Sequence, residues 1–109
     1  MTVWAIVVAA GSGSRFGGPK QFEELEGRRV VDWAIAACRS VADKVVLVVP
    51  ADRLDDTTFG TDLVVGGGLT RSDSVRCGLD AVDGADVIVI HDAARPFAAS
   101  ALFLSLIHI

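Results

Sequence analysis

Apolar residues fall along this chain in blocks, and the spacing inside each block predicts its element. Val3 to Ala10 is a continuous apolar run of strand length, rich in β-branched residues. Such a run predicts a central strand buried on both faces, the kind a parallel sheet uses. Val45-Val-Leu-Val-Val-Pro50 is a second buried strand, ended by its proline. Asp62-Leu-Val-Val65 predicts a short third strand and Asp86-Val-Ile-Val-Ile-His91 a fourth. From Arg29 to Arg39, apolar residues stand at Val30, Val31, Trp33, Ala34, Ala37 and Cys38. This is helical spacing with one buried face, and it puts Trp33 in the core. Ser72 to Val82 predicts a second helix, with Thr70 or Ser72 as its N-cap. Phe22 to Gly27 predicts a short turn region. Ala51 to Gly60, despite Asp52, Asp55 and Asp56, predicts a solvated turn or short helix and not a metal cluster.

Strands alternating with helices through right-handed connections imply an α/β fold, Rossmann-like and three-layered, with a mostly parallel sheet. The expected strand order is 3-2-1-4. The chain then reverses direction between its first and fourth strands, and α/β sheets bind ligands in the crevice at such a reversal. The loop Gly11–Lys20 and the loop Asp92–Arg95 are expected to face each other there.

The first of these loops carries the candidate chemistry. Ala9, Ala10, Gly11, Ser12, Gly13 and Ser14 are all small, so backbone N–H groups can approach an anion unobstructed. Arg15 and Lys20 are the only charges in the loop, and the combination suits a polyphosphate. A dinucleotide fingerprint needs a helix opening directly from the glycines, whereas Gly17, Gly18 and Pro19 prolong this loop.

Composition narrows the partners. A chain of 109 residues, 51% hydrophobic and 22% charged, makes one small globular domain. A net charge of −4 argues against a nucleic-acid binder, which needs a basic face, but leaves room for a nucleotide site with local cations. The apolar runs fall short of the roughly 20 residues of a membrane span. No secretory signal pattern opens the chain, so a cytoplasmic, reducing location is expected. Cys38 and Cys77 are then packing thiols, and two histidines, His91 and His108, support no metal cluster.

Three motifs carry a resemblance. Ala9-Ala-Gly-Ser-Gly-Ser-Arg15 with Pro19-Lys20-Gln21 resembles the signature of the nucleotidyltransferases that couple a nucleoside triphosphate to a sugar or polyol phosphate. Gly66-Gly-Gly-Leu-Thr-Arg71-Ser-Asp-Ser74-Val-Arg-Cys-Gly78-Leu79 is similar to the GGxxRxxSVxxGL element of the methylerythritol-phosphate cytidylyltransferases within that group. His91-Asp92-Ala-Ala-Arg95-Pro96 resembles the HDAARP of the same family and is the most specific of the three.

The resemblance implies transfer of CMP from CTP to 2-C-methyl-D-erythritol 4-phosphate, with release of pyrophosphate and with Mg²⁺ as cofactor. By the same resemblance Arg15 and Lys20 stabilise the transition state, and Ala9, Ala10, Gly11, Ser12, Gly13, Gly68 and Ser74 bind the nucleotide. Asp92 holds the metal and, with Arg95, the polyol phosphate. From the residues alone, Ser74 can equally be a first-turn serine bonding its own backbone, and Asp92–Arg95 a structural ion pair. A related acceptor such as ribitol phosphate, or a nucleotide-binding fragment without turnover, remains an alternative reading. Residues 1–97 are expected to be the nucleotide-binding part of a longer domain, and 98–109 an atypical apolar tail left by truncation. The sheet is therefore expected to be C-terminally incomplete, with an exposed edge. Full-length members are homodimers, and the arm that joins them is expected to be missing here.

Overall fold

A computed structural model describes residues 2–10, 22, 24–25, 27–56, 58–93 and 105–108. Its frame is a five-stranded sheet. Strand β1 (Val3–Val8) lies between β4 (Lys44–Val49) and β6 (Val87–Asp92), with β5 (Leu63–Gly66) outside β4 and β7 (Ser105–His108) outside β6. Strands β5, β4, β1 and β6 are mutually parallel, the 3-2-1-4 order expected of the four apolar runs. The tail adds what that order did not include. Ser105–His108 pairs antiparallel with Val87–Ile90, so β6 has a neighbour where an exposed edge was expected. Leu106 and Ile107 suit a strand, and β6 offers them a row of backbone partners.

Helix α1 (Val30–Arg39) covers one face of the sheet and α2 (Arg71–Ala81) the other. The side chains of β1 alternate between the two. Ala5, Val7 and Ala9 pack with Val31, Ala34, Ile35 and Cys38 of α1, while Trp4, Ile6 and Val8 face Val75 and Leu79 of α2. Burial on both faces is why the sequence shows an unbroken apolar run with no period of two.

The stripe on α1 corrects one expectation. Ile35 is buried in the place given to Trp33, because positions 31, 34, 35 and 38 form the i, i+3, i+4, i+7 face. Trp33 lies beside that stripe, partly exposed, with the Arg28 guanidinium 4.8 Å from its ring centre. Cys38 is buried in the core, and burial pushes its thiol up to about 12, as befits a packing residue. Cys77 is half-buried. Between β1 and α1 a small hairpin pairs β2 (Glu24–Leu25) with β3 (Arg28–Arg29), in the region expected to be a turn. Ala51–Arg53 forms one turn of 3₁₀ helix.

Candidate nucleotide site

Register brings the carboxyl ends of the four parallel strands to one level. Val8 pairs with Val48 on one side and Asp92 on the other, and Val49 pairs with Gly66. The ladder runs one step further at each end. Ala9 N–H donates to Val48 O at 2.7 Å, Ala93 N–H to Val8 O at 3.0 Å and Gly67 N–H to Val49 O at 2.9 Å. All three motifs therefore leave the sheet together, at the crevice that the strand order predicts.

The first two motifs touch. A Cβ placed on Gly67 would lie 2.3 Å from Ala10 Cβ and 2.7 Å from Ser74 Oγ, closer than packed atoms approach. Only a residue without a side chain lets these backbones meet. Ser74, 2% exposed, accepts a hydrogen bond at Oγ from Gly68 N–H at 3.2 Å. Its hydroxyl thus ties the helix to the loop before it and does not bond its own backbone. Thr70 is the N-cap of α2, its Oγ1 accepting from Asp73 N–H at 3.0 Å. Helix α2 comes down tightly behind the loop because Gly78 faces the sheet, where a Cβ would meet Ile6 Cγ2 at 2.6 Å.

The second motif reaches the third through a charge. Arg71 Nε, at the first position of α2, lies 4.0 Å from Asp92 Oδ2 at the end of β6. Both side chains are partly open to solvent, 63% and 40% exposed, so the pair adds little stability. Asp92 is the last residue of the strand, whereas the sequence placed it in the loop beyond. Its neighbour His91 is 1% exposed, and burial holds its imidazole below the ordinary range against the opposing pull of Asp92.

Of the residues singled out in the sequence, Ala9, Ala10, Gly68, Ser74 and Asp92 are gathered at this sheet end. Gly11, Ser12, Gly13, Arg15, Lys20 and Arg95 lie outside the described residues. Two contributors went unassigned in the sequence, Gly67 and Arg71. Both stood inside a quoted motif, and a glycine triplet before an N-cap was the available signal.

The donor set fits a divalent cation of one kind. Among the described residues no group of three or more His, Cys, Asp or Glu side chains could hold an ion. Asp92 supplies one carboxylate, a hard oxygen donor, 40% exposed at the end of β6. That suits an ion such as Mg²⁺, which takes one or two carboxylates and completes its shell with phosphate oxygens and water.

A mostly parallel α/β sheet with a glycine-bearing loop and an aspartate gathered at its carboxyl ends belongs to the nucleotidyltransferase class of folds. The family model described as 2-C-methyl-D-erythritol 4-phosphate cytidylyltransferase matches residues 3–109, and the chain belongs to that family. It is 43% identical over 109 residues to the bifunctional enzyme IspD/IspF of Ruegeria pomeroyi, covering 93% of this chain and 29% of that protein. With the 2-C-methyl-D-erythritol 4-phosphate cytidylyltransferase of Deinococcus radiodurans it shares 41% identity over 111 residues, covering 94% of this chain and 44% of the relative. The crystal structure of 2-C-methyl-D-erythritol 4-phosphate cytidylyltransferase from Thermus thermophilus superposes with a TM-score of 0.72 at 32% identity, covering 94% of this chain and 46% of that one. The chain thus spans less than half the length of each of these relatives.

Proposed function

We propose that this chain is the nucleotide-binding part of a cytoplasmic cytidylyltransferase that moves CMP from CTP to 2-C-methyl-D-erythritol 4-phosphate and releases pyrophosphate. The observation that carries the reading is the family match over residues 3–109, joined to the convergence of the three motifs at one sheet end.

Attack of the acceptor phosphate on the α-phosphorus loads negative charge onto the α-phosphate oxygens while pyrophosphate leaves. Such a transfer needs no protein nucleophile; it needs positioning, and cations aimed at the developing charge. In this reading Arg15 and Lys20 supply those cations. The backbone from Ala9 to Gly13 cradles the triphosphate, and Gly68 and Ser74 line the nucleoside pocket. Asp92 and Arg95 meet the acceptor phosphate, and Asp92 would hold Mg²⁺. The metal, when bound, would supply positive charge against the charge of the leaving pyrophosphate. In this reading the acceptor side is completed by a dimer arm, as part of a homodimer.

Calorimetry of CTP binding with Mg²⁺, beside ATP and beside Lys20→Ala, tests this. Selective binding of CTP that weakens in Lys20→Ala is expected; on turnover, loss of one such transition-state contact commonly costs about 10²–10³ in rate. Equal binding of ATP, or no binding by a folded chain, would contradict it.

A further inference from the structure

Arg71 opens α2, a position where its charge works against the helix. The dipole favours an anion in the first turn, and the chain supplies one two residues later at Asp73. The cap itself is made by Thr70, whose Oγ1 accepts from Asp73 N–H and whose carbonyl accepts from Ser74 N–H, each at 3.0 Å. With its side chain 63% exposed, Arg71 adds little to the core. A residue that opposes its own element is expected where a site is being built.

Two hydrogen-bonded pieces of the fold set where Arg71 stands. On its own side, Thr70 caps the helix and Ser74 Oγ holds Gly68 N–H, so the turn presenting Arg71 is bonded on both flanks. Across the crevice, Asp92 is paired with Val8 of the central strand, and Ala93 N–H donates to Val8 O just beyond it. Arg71 Nε meets Asp92 Oδ2 between them at 4.0 Å, a contact of charge and longer than a hydrogen bond. Such a pair is worth little to the folded state. Its charge still acts on whatever comes to the carboxylate: in water, a unit charge at that distance moves an equilibrium about fivefold.

We infer that Arg71 is a positioning residue that acts through Asp92, opposing a divalent ion that comes to this carboxylate alone and favouring one that arrives on the phosphates of a nucleotide. The sign follows from charge. A bare ion is doubly positive and is repelled by the guanidinium, whereas the ion with a nucleoside triphosphate is net negative and is attracted. Metal and nucleotide are thereby made to enter together. The inference rests on the nucleotide reading above, which gives Asp92 its metal.

The test compares Arg71→Gln, Arg71→Lys and Arg76→Gln in the full chain at low salt. Mn²⁺ alone is titrated and read by paramagnetic broadening of the Asp92 amide, and CTP with Mg²⁺ is titrated by calorimetry. Arg76, exposed and five residues further along the same helix, controls for the loss of one positive charge. In Arg71→Gln, Mn²⁺ is expected to bind about fivefold tighter and CTP with Mg²⁺ about fivefold weaker, both effects shrinking as salt is added. Arg71→Lys keeps both affinities near those of the unmodified chain, Arg76→Gln moves neither, and Tm changes by less than about 3 °C throughout. A merely structural role would weaken both ligands together. Changes of the same sign, no change in either, an equal effect of Arg76→Gln, or no broadening at Asp92 in any of these proteins would overturn the inference. If the unmodified chain takes Mn²⁺ at Asp92 but binds no CTP, the nucleotide reading fails, and the Mn²⁺ comparison still decides whether Arg71 acts on Asp92.

Discussion

At the amino-terminal ends of the strands, three carboxylates belong to the fold. Asp86 accepts from Thr2 N–H at 2.6 Å, Asp43 from Val3 N–H at 2.8 Å and Asp62 from Val45 N–H at 2.8 Å. Each closes a strand start that would otherwise leave an N–H to water. At the carboxyl ends the pattern differs. There the backbone turns through Gly66–Gly68, and the acid, Asp92, faces an arginine side chain at 4.0 Å. The same residue type takes a backbone N–H at one end of the sheet and an arginine side chain at the other. The difference lies in the partner: a backbone N–H at hydrogen-bond distance fixes a carboxylate, whereas a solvent-exposed cation 4.0 Å away adds little stability.

The contrast is broken most severely at Gly67. Gly67→Val drives a side chain into Ala10 and Ser74, and should cost about 2–3 kcal/mol in chemical denaturation. CTP binding should vanish with it. Gly78→Ala pushes α2 against Ile6 and Val48, for about 1–3 kcal/mol, with a smaller loss of affinity because the loop backbone is not itself entered. Ser74→Ala leaves Gly68 N–H without its acceptor, at about 1 kcal/mol. Since Gly68 then shifts, CTP affinity measured by calorimetry should fall about tenfold, a change of roughly 1.4 kcal/mol.

Asp62→Asn probes the sealed end, and its effect should be the smallest, under about 1 kcal/mol at neutral pH. CTP affinity should not move. The Val45 N–H, and after it Arg39, hold the Asp62 carboxyl below its ordinary 3.8, against an opposing effect of burial. The charged form is therefore favoured by folding. Its contribution is complete above that ordinary value and is lost as pH falls through the lower folded one. Melts taken from about pH 6 down to about pH 3 should show Asp62→Asn with a shallower acid decline than the unmodified chain.

Much of this contrast was visible in the chain before the structure. The unbroken apolar runs of β1, β4 and β6 announced burial on both faces, and the strand order followed from right-handed crossovers. The strand order placed Asp92 at that sheet end, and the resemblance added Gly68 and Ser74 to the site. What the pattern missed depends on contacts distant in sequence. Trp33 and Ile35 are equally apolar, and only the phase of α1 against the sheet chooses between them. Ser74 could have bonded within its own helix; the approach of Gly67 to Ala10 brings the loop within reach and decides for Gly68. The strand at Ser105–His108 is short and has no flanking turn signal, so its pairing follows from the open side of β6. Asp43 looks like an ordinary loop acid, and Asp62 and Asp86 look like first residues of strands, until the structure starts those strands at Leu63 and Val87 and shows which N–H each acid meets.

The account stands on the carboxyl end of the sheet being the nucleotide end. Backbone amide NMR during a titration with CTP and Mg²⁺ tests this directly, because both ends are seen in one experiment. The amides of Ala9, Ala10, Gly67, Gly68, Ser74 and Asp92 should shift with a common affinity, while those of Thr2, Val3, Val45 and Asp86 stay in place. Shifts concentrated at the aspartate-sealed end, or none at either end of a folded chain, would contradict it.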